Sequence, residues 1–440
     1  MRRAATSKEE GIGERSGALR TVTPTRVRNP RNLRVTVVAY TNYFLDGRVR
    51  FEAEGLAESG CEVHVIAARS EQPNSATVLN EVVIEESPLQ VRRGGKMRYL
   101  FQYFAFLLTS SAMLLRSSFG RRSAILHIHS LPDFQVLCAL PFKLLGAAVV
   151  LDMHESMPEL ILARFGVTHR SLWFKLALAT QKLSALLADH VIVACDGIKN
   201  LLVERGVPVE RVTSISNVAD SPVTRLPDAE VRKLLSIPPG RMIVHVGGVN
   251  AERDLDTLIR AVATIAEKDI PLLVIAGPGQ PSYVNMLRAL ATELRVDSRI
   301  QFVGQVSLDL AQSLVSMSEF GVVTLLSNPH TELSWPTRIG EFAAAEKPLV
   351  VPTLSFIRSA LGEGARYYSP GDHVSLANAI RAVMTDEKTN ELMTRRAKEV
   401  CKAQSWDAVR SSLLHLINSV GLSPGVLSGE SNSDNFKGLT

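Results

Sequence analysis

Close cysteine pairs are missing from this sequence. Its four cysteines, Cys61, Cys138, Cys195 and Cys401, are scattered over 440 residues and none forms a C-x-x-C unit. That spacing excludes a disulfide-framed scaffold and predicts buried thiols in a reducing compartment. A cleavable leader is lacking too, because the N-terminus is polar and arginine-rich with no apolar core. The expectation is a cytoplasmic protein. Strong charge of one sign is also absent. A net charge of +5, partly carried by the first 34 residues, gives no argument for nucleic acid as a partner. Mean hydropathy is close to neutral, unlike that of a polytopic membrane protein.

What remains is ample apolar material, 46% of the residues, in a length that suits two domains of roughly 150–200 residues each. Residues 1–33 and 421–440 show no hydrophobic periodicity and read as disordered arms, the first of them basic. Between them, short β-branched runs alternate with amphipathic ones. Strand candidates are 33–39, 61–67, 123–129, 147–153, 189–195, 241–247, 271–277, 299–304, 320–326 and 347–352, with helical runs such as 49–59, 253–267 and 307–318 between them. Several runs are apolar throughout, as parallel strands buried on both faces should be. The fold class predicted is α/β, two doubly wound Rossmann-like domains over 34–216 and 231–404, with 217–230 as the linker. Such domains facing one another leave a central cleft at the carboxyl ends of their strands.

The segment "MRYLFQYFAFLLTSSAMLLRSSFGRR" (97–122) is apolar for about the length of a membrane span. Gln102, Tyr103, Thr109, Ser110 and Ser111 interrupt it, so a packed domain helix is the reading preferred over a surface-bound amphipathic helix or a true span.

Polar residues gather where the first domain's strands end. Asp46, Gly47 and Arg48 precede a helix; His127 and His129 end one strand; Asp152, His154 and Glu155 end the next. Three histidines at neighbouring strand ends raise a metal site, but without close His or Cys spacing on one element the expectation is no metal. A neutral histidine donating a hydrogen bond to a substrate hydroxyl fits better. In the second domain "VHVGGVNAERDLDTLIRAV" is strand, glycine loop and helix, with Gly247 and Gly248 open to a phosphate and Arg253 as a cation. "IAGPGQ", containing Gly277, is a second glycine turn; neither matches a Walker loop or G-x-G-x-x-G. Asp254 and Asp256 match D-x-D formally, but acids opening a helix need no metal to explain them.

The stretches "LDGRVRFEAEGLAESGCEVHVIA", "ILHIHSLPDFQVLCALPFKLLGAAVVLDMHE" and "LADHVIVACDGIKNLL" lead, in order, to "HVGGVNAERDLDTLIRA", "LLVIAGPG", "RIQFVGQV" and "TRIGEFAAAEKPLVVP". Their order and spacing resemble glycosyltransferase family 4, retaining enzymes of GT-B architecture, over nearly all of 33–420. The resemblance implies an acceptor-side first domain, a nucleotide-sugar-binding second domain, and a closing helix over 405–420 that crosses back. It implies a nucleotide diphosphate-sugar as co-substrate, no cofactor, a glycan or lipid-linked acceptor, and peripheral contact at the inner face of the membrane. Glu341 takes the second acidic position of the family's E-x7-E motif, expected to accept from the ribose hydroxyls. Arg253 takes the phosphate-binding lysine's position and His129 that of the histidine near the transferred sugar. Thr337 opens the helix facing the diphosphate, and Arg338 is a second candidate cation. Asp46, Arg48, Asp152, His154 and Glu155 are expected on the acceptor side. Two departures stand out. The first acidic position is Leu333, with Glu332 one residue away, and the family's arginine after the first loop glycine is replaced by Gly248.

Overall fold

The computed structural model describes residues 33–70, 78–91, 96–117, 124–219, 225–265 and 271–421. Apart from Leu33 and Gly421 the two expected terminal arms lie outside the described residues, as do 220–224 of the expected linker and the end of the 97–122 segment.

The first sheet contains β1 (Arg34–Ala39), β2 (Glu62–Arg69), β3 (Val78–Leu79), β4 (Val82–Gln90), β5 (Ile125–His129), β6 (Ala148–Met153), β7 (His190–Val193) and β8 (Val212–Ser214). Their order is β3-β4-β2-β1-β5-β6-β7-β8, parallel except for β3 against β4. The second contains β9 (Met242–Val246), β10 (Leu272–Ala276), β11 (Ile300–Gly304), β12 (Gly321–Val322), β13 (Leu349–Pro352) and β14 (Arg366–Tyr368). Its order is β11-β10-β9-β12-β13-β14, all parallel. In each sheet the chain reverses its direction of travel once, beside β1 in the first and beside β9 in the second. A doubly wound sheet opens a crevice at such a reversal, because the flanking connections leave on opposite faces. The two crevices set the places where a ligand can sit.

Five helices matter for the site. The helix α1 (Gly47–Glu58) starts at Asp46, whose extended backbone and side chain, accepting from the Val49 amide, satisfy an orphan donor. It packs on one face of the first sheet. The helices α2 (Lys96–Arg116) and α3 (Leu172–Leu187) pack on the other, together with the intervening turn 133–139. In the second domain α4 (Thr337–Ala344) follows Pro336, which fixes the entry backbone. The last helix, α5 (Trp406–Gly421), buries Val409, Leu413, Leu416 and Ile417 in the first domain's core. Trp406 stacks edge-on against Phe51 of α1 at 5.6 Å. The chain therefore returns from the second domain to clasp the first.

Candidate active site

A cavity of about 270 Å³ lies between the domains. The first domain contributes His154, Glu155, Cys195 and Asn217; the second contributes His245, Gly247, Arg253, Trp335, Thr337 and Arg338. Its lining carries two guanidinium groups, Arg253 and Arg338, and two carboxylates, Glu155 and Glu252. Arg338 is paired with Glu341 behind it, whereas the Arg253 guanidinium makes no ion pair among the described residues. Burial, and then repulsion from Arg253, pulls Arg338 down to about 10. Burial and the same two guanidinium groups hold His245 neutral, lowered to about 3, and its Nε2 has no hydrogen-bond partner among the described residues. Two guanidinium groups held this close suit the binding of an anion. The first α4 amides add neutral donors at the same place.

Gly247, at the end of β9, adopts a φ of 141°, which suits glycine. Gly277 lies directly behind it. A β-carbon there would meet the Gly247 carbonyl oxygen at 1.7 Å, so Gly277 shapes the loop from behind without lining the cavity.

A second cavity, about 240 Å³, opens at the ends of β1 and β5 and is lined by Tyr40, Asp46, Tyr99, Tyr103, His129, Ser130, His154 and Glu155. His154 and Glu155 line both cavities, which makes them the seam between them. His129 Nδ1 lies 2.9 Å from His154 Nε2. Burial, then His127, lowers His129 well below the usual histidine range, so it is neutral at physiological pH.

Behind this cavity sits a buried charged cluster. Arg48 donates from Nε and Nη2 to both Asp152 oxygens, at 2.9 and 2.8 Å, and lies 3.2 Å from Glu52. Its Nη1 reaches the Ile215 carbonyl and the Asn217 amide oxygen. Asn217 in turn donates to Thr337 at 3.2 Å, which links the cluster to the interdomain cavity. Burial raises the Asp152 carboxyl, but Arg48, His154 and His129 together hold it below the ordinary carboxylate range. Burial, only partly offset by Arg48, drives Glu52 upward, and its two oxygens accept no hydrogen bond among the described residues. Burial lowers His127 to about 4. Glu52, His127, His129 and Asp152 offer ligand atoms within 4.8 Å of one another, a donor set able to hold a divalent cation or ordered water. None of the four lines the interdomain cavity.

The geometry sorts the sequence expectations. Arg253, Gly247, Thr337, Arg338, His154 and Glu155 meet in the interdomain cavity, and Asp46 and His129 in the second. Arg48 and Asp152 do not face either cavity, because each is the other's partner in the buried cluster. Gly47 opens α1 and lines neither; Gly248 and Gly277 also stand back. Glu341 is buried beneath Arg338, which faces the cavity in its place. Glu332 lines neither cavity. Its oxygens accept from Ser327 Oγ at 2.6 Å and from the Ser355 amide at 2.8 Å, so it caps the helix Ser355–Leu361 and is committed there. The sequence reading missed His245, Asn217 and Trp335, as well as Tyr99 and Tyr103. A signal existed for His245, a polar residue inside an otherwise apolar strand run; the others carried none, because they reach the cavities from loops and a helix face.

Residues 48–221 match the family model described as Glycosyltransferase Family 4, and 228–400 match Glycosyl transferases group 1. The D-inositol 3-phosphate glycosyltransferase of Corynebacterium glutamicum is 24% identical over 221 residues, 48% of this chain and 52% of that protein. The chain spans about half the length of the first curated relatives it matches. Among solved structures, sucrose-phosphate synthase from Thermosynechococcus elongatus superposes with a TM-score of 0.68 at 17% identity, covering 88% of this chain and 98% of that one. HepE of Anabaena in complex with UDP gives 0.65 at 14% identity, with 88% and 100% covered. At such identities the superpositions establish the fold alone. With both halves matched in order and two parallel-sheet domains in this arrangement, the chain belongs to glycosyltransferase family 4 and has the GT-B architecture.

Proposed function

We propose that the protein transfers a sugar from a nucleoside diphosphate-sugar to a glycan or lipid-linked acceptor, with retention at the anomeric carbon and without a metal at the diphosphate. The observation that carries this reading is the pairing of Arg253 and Arg338 around neutral His245 in the interdomain cavity. Two guanidinium groups and the α4 amides supply the charge that a divalent ion supplies elsewhere. UDP bound to HepE supports UDP as the first nucleotide to try.

In the proposed step the bond between the anomeric carbon and the diphosphate oxygen breaks as the acceptor oxygen bonds to the same face. The acceptor proton passes to the departing diphosphate oxygen. Neutral His129 and the His154–Glu155 seam hold the sugar and acceptor where the cavities meet. Closure of the domains excludes water and limits hydrolysis. No described helix is long and apolar enough to cross a membrane, and a cytoplasmic enzyme with peripheral membrane contact is part of the same proposal.

Calorimetric titration with UDP, GDP and ADP, followed by NMR of the product formed from an α-linked donor, tests the reading. One nucleotide is expected to bind, with affinity undiminished by chelator, and the product should keep the α configuration. Inversion would overturn retention. Absence of binding by folded protein would favour a non-catalytic GT-B scaffold, for which the diversion of Glu332 to a helix cap is the structural motive.

A further inference from the structure

The helix α2 carries large apolar side chains on its outward face as well as on its inner one. A helix on a soluble domain turns its apolar stripe to the core and its polar side chains to water. In α2 the buried row is Gln102, Phe106, Ser110 and Leu114, half of it polar. Gln102 accepts from Tyr40 Oη at 3.0 Å, and Ser110 accepts from Gln135 Nε2 at 2.6 Å. The outward row is Met97, Phe101, Phe104, Leu108 and Leu115, all exposed, with Phe101 at 73%. The spacing of four, three, four and seven residues lays these five on one stripe.

The neighbouring helix on the same face of the sheet repeats the feature. On α3, Leu172, Trp173, Leu176, Leu183 and Leu186 are exposed, and Leu144 and Leu145 protrude at 88% and 80% nearby in the chain segment that follows the intervening turn. Soluble monomers rarely expose this many large apolar side chains on one side of a domain without a partner for them. Exposed Arg98, Arg116, Lys175 and Lys182 border it, and neither helix carries an acidic residue.

The charge selects the occupant. A second copy docked through this face would set four cations against four cations with no carboxylate on either helix to meet them. A layer of anionic lipid headgroups satisfies both the apolar stripe and its basic border. The position selects the purpose. Tyr99 and Tyr103, on the same helix but facing the other way, line the second cavity beside His129 and His154.

We propose that the α2–α3 face docks on an anionic bilayer surface and that the acceptor entering the Tyr99–Tyr103 cavity is an amphiphile whose tail stays in the lipid. The docking stands on the surface alone; the acceptor class rests on the glycosyltransfer reading and sharpens it.

Flotation of the full chain with vesicles tests the proposal. With equimolar phosphatidylglycerol and phosphatidylcholine the protein should float, and with phosphatidylcholine alone it should remain largely below. The double variant Phe101→Ser/Phe104→Ser should lower the partition coefficient by roughly tenfold or more, and so should Lys175→Glu/Lys182→Glu. High salt should weaken wild-type flotation. Nucleotide titration of both variants should match the wild type, since none of the four residues lines either cavity. Wild-type protein that ignores anionic vesicles, or variants that float equally well, would overturn the docking. So would a dimer in sedimentation equilibrium that Phe101→Ser/Phe104→Ser dissolves, because the face would then belong to a second copy. Flotation without any nucleotide binding would leave the docking intact and remove the glycosyltransfer reading with its acceptor. If a soluble glycan accepts sugar as well as a lipid-linked one does, the acceptor assignment falls while the docking stands.

Discussion

Arg48 and Arg253 are the same residue type in similar local settings, each in the loop-to-helix segment after the first strand of its sheet, yet their environments differ in kind. Arg48 is sealed beneath the second cavity with Asp152 on two of its nitrogens and Glu52 beside it. Arg253 lines the interdomain cavity with no carboxylate partner among the described residues and a second guanidinium for a neighbour. A buried charge with its counter-charges built in serves the fold. A charge left uncompensated beside another of the same sign is held ready for a ligand.

The most severe way to break this contrast is Arg48→Met. It leaves the Asp152 carboxylate buried without its cation and should cost about 3–5 kcal/mol in urea unfolding at neutral pH. The deficit should shrink in acid, where the carboxylate protonates. A loss below 1 kcal/mol, within the range of an exposed ion pair, would remove the distinction between the two arginines.

Next in size is the pH response of the buried histidines. His127 is lowered from its ordinary value to about 4. The unfolded chain therefore binds the proton more tightly, so the stabilisation is complete above about pH 6.5 and is lost as the pH falls toward 4, a change on the order of 3 kcal/mol. The stability difference between wild type and His127→Asn, followed by denaturant titration over that window, should narrow as the pH falls. A difference independent of pH would mean that His127 is not held neutral by the fold.

Arg253→Ala should show the opposite profile to Arg48→Met. Nucleotide affinity should fall by about 1.5–3 kcal/mol, the range for a hydrogen bond to a charged group, while the unfolding midpoint stays within error of the wild type. A fall in stability with unchanged affinity would exchange the roles assigned to the two arginines.

Glu341→Gln sharpens the donor side. If donor binding draws Arg338 onto the diphosphate and frees Glu341 for the ribose, wild type should prefer UDP over 2′-deoxy-UDP and the variant should not, a difference of about 1.5 kcal/mol. Equal discrimination by both proteins would restrict Glu341 to anchoring Arg338. The smallest effect is Glu332→Ala, which should cost about 1 kcal/mol of stability as a lost helix cap and leave nucleotide affinity alone.

Most strands that the sequence revealed are buried on both faces. β1, β6, β9 and β10 are largely apolar, so their runs stood out, and the edge strand β11 was legible from its β-branched and aromatic residues. β4, with Glu85, Glu86 and Pro88, was hidden because it lies near the sheet edge and mixes polar residues into its pattern. β8 and β14, three residues each at sheet edges, are too short to show a period. Over most of the 97–122 segment the helix Lys96–Arg116 packs on the first domain, but which of its faces turns outward was not legible, since apolar residues on both sides look the same in sequence whichever side meets the core.

In the site, the glycine loop with Arg253 and the opening of α4 were legible because strand-end loops of doubly wound sheets converge on the crevice. The destination of each carboxylate was not. Glu332 sits one residue from a motif position and turns away to cap a helix, and Glu341 occupies the motif position with its oxygen already taken by Arg338.

What the sequence alone determined is the alternation of buried strands and amphipathic helices, hence two parallel sheets and a cleft at their carboxyl ends. That information is local, carried by side-chain periodicity over a few residues. The tertiary structure alone decided which charges would be neutralised and which left free. Arg48 finds Asp152 at a separation of 104 residues and Asn217 at 169, and only the packing of three elements brings them together. Electrostatic pairing acts through space at short range, so its outcome is written in the fold and not in the spacing of the chain.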